Sequence, residues 1–168
     1  MVRVIKIVII SILLVSLFGC GGKRKEAGQQ NQPDTISAYG ITLTKESSPK
    51  EVASLLIKGL DNDDEDVLTK LVAVKNEMAE IKKVFQKHGQ RAKKLTPEDV
   101  ASLTAKGWMA SYAFLEPGWT KITDETIEGD RAYVYCVARN PKGRERNFEI
   151  RLIREDGWWK VTAGLHSQ

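Results

Sequence analysis

The side chains able to do acid–base, nucleophilic or metal chemistry are few in this chain, and they are scattered. There are two histidines, His88 and His166. His88 stands beside Gly89 where a helical pattern stops, a place where a cation is favoured by the helix dipole. His166 lies past the last apolar position of the final strand pattern, so both read as surface residues. Cys136 sits in an alternating apolar run with no histidine nearby, which suits a buried small hydrophobe better than a nucleophile. The run Asp61–Asp66 has the composition of a calcium loop. Counting from Asp61, however, the sixth and twelfth positions are Asp66 and Val72, where such a loop needs Gly and Glu. Stopping one helix and capping the next explains the run better. Asp124 is the one carboxylate whose strand parity, shared with Ile122, points it inward as a candidate base or pocket residue. No Cys/His cluster, phosphate-binding glycine loop or Gly-x-Ser-x-Gly elbow is present. Neither a metal nor a cofactor is expected.

The remaining reactive group is Cys20. Met1–Lys6 carries Arg3 and Lys6 without an acid, Ile7–Phe18 is almost wholly apolar, and Gly19-Cys20-Gly21-Gly22 follows. A charged start, a short apolar block and a small-residue exit describe a secretory signal, too short for the ~20 residues of a membrane span. Leu17-Phe18-Gly19-Cys20 resembles the lipobox of bacterial lipoproteins, with Phe18 departing from the small or β-branched residue usual there. The resemblance implies cleavage before Cys20 and a diacylglycerol on its thiol. Anchoring by two or more acyl chains is then firm. Gly21 in place of Asp resembles the outer-membrane default, should the host be Gram-negative. Removing Arg3 and Lys6 lowers the formal net charge of +4 by two, so no nucleic-acid footprint is expected.

Residues 1–19 therefore read as a signal peptide, 20–44 as a lipidated Cys and flexible tether, and 45–168 as a single α+β domain. Ile41–Thr44 has the pattern of a short leading strand. Ser48-Pro49-Lys50-Glu51 is a capping box with Pro at the first helical position, followed by Val52, Leu55, Leu56 and Leu60 on one face. Val67, Leu68 and Leu71 repeat the pattern. Asn76–Lys87 carries the stripe Met78, Ile81, Val84 and Phe85, and Thr96-Pro97-Glu98-Asp99 starts a further helix. After Glu116-Pro117-Gly118 the period becomes two. Trp119–Ile127, Arg131–Arg139, Asn147–Arg154 and Trp158–Leu165 are separated by turn residues, predicting an antiparallel meander covered by the helices.

Two stretches, Ser48–Asp64 and Gly129–Val161 with its Gly157-Trp158-Trp159-Lys160-Val161 ending, resemble the nuclear-transport-factor-2-like (cystatin-like α+β) superfamily, and within it small bacterial lipoproteins of unknown function. The resemblance implies helices packed on a curved four-stranded meander as a cone whose open end is often a pocket. It spans enzymes (isomerases, dehydratases, cyclases) and non-catalytic binding modules, so fold does not choose between them. Trp108, Tyr112, Trp119 and Trp159 either line that cone, with Asp124, or fill the core. Trp158, opposite in parity to Trp159, is expected on the outer face. With Tyr133 and Tyr135 it would form the surface where copies in this superfamily meet. The expected function is a membrane-anchored, non-catalytic binding domain of the cell envelope, its partners a second copy or envelope protein or a small apolar ligand. The alternatives are a divergent pocket enzyme using Asp124 or Tyr112, and a carrier of a hydrophobic molecule.

Overall fold

In the computed structural model, residues 34–87, 95–163 and 166–167 are described. Cys20, His88 and Leu165 lie outside them, as do the signal peptide and most of the tether. The described residues open with a hairpin, β1 (Ile36–Ala38) and β2 (Ile41–Leu43), turned by Tyr39 and Gly40 at φ 53° and 74°. Two consecutive positive φ values match the twist of paired strands, and Gly adopts them freely. Ile36 and Leu43 are buried in the core. The folded domain thus begins before residue 45: a tether running to residue 44 is corrected, because these two side chains are covered by the domain they precede.

Among the described residues four helices follow: α1 (Pro49–Asp61), α2 (Glu65–Leu71), α3 (Val74–Lys87) and α4 (Pro97–Tyr112). The expected capping box of α1 forms, and the expected helix start at Thr96 is a capping box too. Ser48 and Glu51 exchange side chain to backbone bonds at the start of α1, and Thr96 and Asp99 do the same for α4. Asp64 accepts from Val67 N to cap α2, so the acidic run is helix punctuation. Gly59 lets α1 and α2 approach closely, since a Cβ there would meet Leu68 Cδ2 at 2.9 Å. The α3 stripe is only half covered; Met78, Ile81 and Phe85 are half-buried and Val84 is exposed.

The sheet is the predicted meander: β3 (Lys121–Glu128), β4 (Arg131–Arg139), β5 (Glu145–Glu155) and β6 (Trp158–Val161), antiparallel in that order. A short β7 (His166–Ser167) adds to β5 beside Phe148 and Glu149. On β4 the inward set Ala132, Val134, Cys136 and Ala138 is buried while Tyr133, Tyr135 and Val137 are half-buried. Phe148, Ile150 and Leu152 continue that inward face on β5. Helix α1 packs across β3, β4 and β6, with α2 and α4 against it. The fold class is α+β, with amphipathic helices covering one face of an antiparallel meander, as the patterning predicts.

Two parity assignments are corrected. In β3 the register shifts between Ile122, opposite Cys136, and Asp124, opposite Tyr135. The extra residue, Thr123, is a bulge, and a bulge moves every later side chain to the other face. Asp124 therefore lies with Tyr135 on the outer side, exposed, and Glu125 takes the inward parity, where its carboxylate accepts from Lys50 N at the start of α1. In β6, Trp158 is buried along with Trp159, contrary to its expected exposure. The reason is long-range. Val72 bridges to Val161 in parallel, Ala73 N donates to Val161 O, and Glu155 caps Lys75 N and Asn76 N. Lys160, of the same parity as Trp158, reaches Lys70 O. The segment from Lys70 to Asn76 thus wraps β6 and the end of β5.

Candidate functional site

The aromatic and titratable candidates fall in three different places. Trp108 and Tyr112 are on the buried face of α4, with Val100, Ala101 and Ala105. Tyr112 Oη donates to Asp61 Oδ1 at 2.9 Å and lies 2.6 Å from Thr120 Oγ1, while Gly118 N also donates to Asp61 Oδ1. This node ties the end of α1 to the end of α4 and the loop into β3. Burial, with Asp61 adding to it, holds the Tyr112 phenol well above its ordinary range, so it is a poor proton donor and no base at neutral pH. Cys136 is likewise inert: burial pushes its thiol up to about 12.

Trp119 is 42% exposed and does not line an interior. Its ring stacks on the Arg139 guanidinium, 3.0 Å from the centroid, with Lys121 Nζ at 5.8 Å. Arg139 is held in a fork by Glu116, Nε to Oε2 at 2.7 Å and Nη2 to Oε1 at 3.0 Å. That pair keeps the Glu116 carboxyl below the usual range. The cluster fastens the loop after α4 to the end of β4. Trp159 is buried, with Arg154 over its ring at 4.8 Å. Tyr133 and Tyr135 occupy the outer face, half-buried. Among the described residues no group of three or more His, Cys, Asp or Glu is placed to hold a metal.

What the fold does assemble is a groove between α4 and the β4–β5 hairpin. It encloses about 550 Å³ and is lined by Ser111, Phe114 and Leu115 from the end of α4 and the loop after it. Asn140, Pro141, Lys142, Arg144, Arg146, Asn147 and Phe148 line it from the hairpin. Its floor is apolar. Phe148 belongs to the core, Leu115 packs against it, and Phe114 stands at the mouth, 76% exposed. The opposite wall carries Lys142, Arg144 and Arg146, and no carboxylate lines the groove.

Strand geometry explains this arrangement. Arg146 pairs with Ala138 and Phe148 with Cys136, so both sit on the inward face of β5. Arg144 stands one residue before β5 and lines the groove from the hairpin. One face of β5 thus reads Leu152, Ile150, Phe148 and then Arg146, changing from apolar to cationic where the helices stop covering it, with Arg144 just beyond the strand. The hairpin tip is well fixed: Asn140 Oδ1 accepts from Lys142 N and Arg144 N, and Asn140 N donates to Arg144 O. Gly143, at φ 75°, supplies the left-handed residue that the turn requires.

None of the groove's residues except Phe148 stands out from sequence motifs. The usable signal is the parity of β5 itself: stepping back by two from Phe148 puts Arg146 on the face that is otherwise core. An arginine at a core parity position marks where a strand leaves the covered interior.

No family model and no curated protein sequence matches the chain. Among solved structures it is similar to a Campylobacter jejuni protein carrying the provisional description of NTF2-like transpeptidase, at 16% identity and a TM-score of 0.44, over 70% of this chain and 100% of that one.

Proposed function

We propose that the protein is an exported, lipid-anchored binding module of the cell envelope, with the groove between α4 and the β4–β5 hairpin as its ligand site. The observation that carries the binding reading is the make-up of that groove. It joins an apolar floor to convergent polar side chains, in the size range of small-molecule sites. Its polar groups are hydroxyl, amide and cationic, with no acid–base pair to move a proton at neutral pH. This favours binding over catalysis. The helix-on-meander arrangement agrees with the nuclear-transport-factor-2-like resemblance, and we take the groove to be the open end that the resemblance implies.

Anchoring rests on the charged start, apolar block and Gly19-Cys20 exit. In a Gram-negative host the outer membrane is the destination that Gly21 favours. Among the described residues no helix is long and apolar enough to cross a bilayer. Cys20→Ser should abolish incorporation of labelled palmitate and leave the precursor uncut, and undiminished labelling would refute the anchor. For the groove, native mass spectrometry of the full chain purified from membranes should show a co-purifying small molecule. Ser111→Trp, which fills the groove, should remove it; an unchanged adduct would place the ligand elsewhere.

A further inference from the structure

The charge distribution in the groove points to a class of ligand, provided that the groove is a ligand site as proposed above. We infer that this ligand is a single-chain anionic amphiphile, with the acidic head on Lys142, Arg144 and Arg146 and the chain along Leu115 and Phe148.

The polarity of the groove is directional. Along the inward face of β5 the floor is Phe148, and Arg146 comes two positions on, about 7 Å away at strand spacing, with Arg144 lining the groove from the hairpin just before the strand. A ligand lying along this face meets hydrocarbon at one end and guanidinium at the other. None of the three cations has an ion-pair partner among the described residues, whereas Glu116, next to Leu115, is engaged by Arg139. Glu145, opposite Arg139 in the register, has the parity of the outer face. Among the described residues the groove is thus short of negative charge, and an anion brought into it would find donors without displacing a partner that belongs to them. The arginines offer planar forks suited to a carboxylate, sulfate or phosphate. The bonds of Asn140 hold the hairpin tip in place before a ligand arrives, so little ordering cost falls on binding. At the other end Phe114, exposed at the mouth, is placed to close over a chain.

A free amphiphile fits better than a bilayer surface because the apolar residues are concave and lead toward the core, where a membrane-docking patch would be convex. Calorimetry of the full chain in phosphatidylcholine nanodiscs, with empty discs subtracted, tests this using decanoate, decyl sulfate, decyl maltoside and decyltrimethylammonium. Decanoate and decyl sulfate should bind at least about tenfold more tightly than decyl maltoside, and the cationic probe should not bind measurably. Affinity should improve roughly three- to fourfold per methylene from octanoate to decanoate. R144E/R146E should cost the anionic probes at least about tenfold and leave decyl maltoside unchanged. Equal binding of neutral and anionic probes, both lost in Ser111→Trp, would overturn the anionic class and leave the groove as a ligand site. Binding of no probe, or binding indifferent to Ser111→Trp, would overturn both. A charge effect seen only as altered affinity of the protein for anionic discs would assign the cations to the bilayer and overturn the proposal.

Discussion

Lys160 is a buried lysine with a measurable energetic signature. It is 4% exposed on β6, between the Trp158 ring, 5.5 Å from its Nζ, and the carbonyl of Lys70, to which it donates. Burial lowers its ammonium to about 8 from an ordinary 10.5, against the opposing pull of Glu155 and Asp156. Between these two values the unfolded chain holds a proton that the folded chain has released, so stability rises with pH across the window. The penalty for keeping the charged group buried is about 3 kcal/mol at pH 7, of which roughly 1 kcal/mol is recovered by pH 9. Cys136 acts in the opposite sense. Its thiol, pushed up from 9.0 to about 12, keeps its proton in the folded state while the unfolded chain loses it, which offsets a minor part of that gain by pH 9. Urea denaturation at pH 7, 8 and 9 should therefore show wild type gaining stability, by up to roughly 1 kcal/mol, because the Lys160 effect outweighs that of Cys136. Lys160→Met should stay flat or decline slightly. Parallel pH profiles for the two proteins would refute the assignment of a buried, depressed amine to Lys160.

Two further substitutions test the packing that holds the groove's helical wall. Asp61→Ala removes an acceptor shared by Tyr112 Oη and Gly118 N and should cost about 2–3 kcal/mol, with Tyr112→Phe costing about 1. In urea melts the double variant should lose less than the sum by about 0.5 kcal/mol or more, and strict additivity would show that the contact carries no energy. Gly59→Ala would gain up to about 1 kcal/mol of helix propensity, yet its Cβ would press the fully buried Leu68 at 2.9 Å. Overpacking costs about 1–3 kcal/mol, so a net loss near 1 kcal/mol is expected, and a stabilised variant would mean that α1 and α2 separate freely.

Much of the fold is legible in the sequence because its signals are local. Ser48 with Glu51 and Thr96 with Asp99 announce their helices within four residues, and the alternation in Arg131–Arg139 and Asn147–Arg154 announces the meander. The departures have non-local causes. Counting parity straight through Thr123 gives Asp124 the face of Ile122; a bulge is a property of the pairing with β4 and leaves no mark in β3 alone. Alternation puts Trp158 on the outer side, but the Lys70–Asn76 segment, some ninety positions away, covers that second face. The burial of Ile36 and Leu43 is hidden for a similar reason, since a three-residue strand shows its burial only against its partner. The groove lies between these extremes. Arg146 follows from β5 parity, but the apolar wall facing it comes from the end of α4, and nothing local joins Phe114 and Leu115 to Arg144 and Arg146.

The most direct test of the groove as the ligand site is a nuclear Overhauser experiment on the full chain in phosphatidylcholine nanodiscs with ¹³C-labelled decanoate. The chain methylenes should show cross-peaks to the Phe148 and Phe114 rings and the Leu115 methyls, lost in Ser111→Trp. Cross-peaks to Tyr133 or Tyr135 on the outer face of the sheet, or none to the protein at all, would contradict the account.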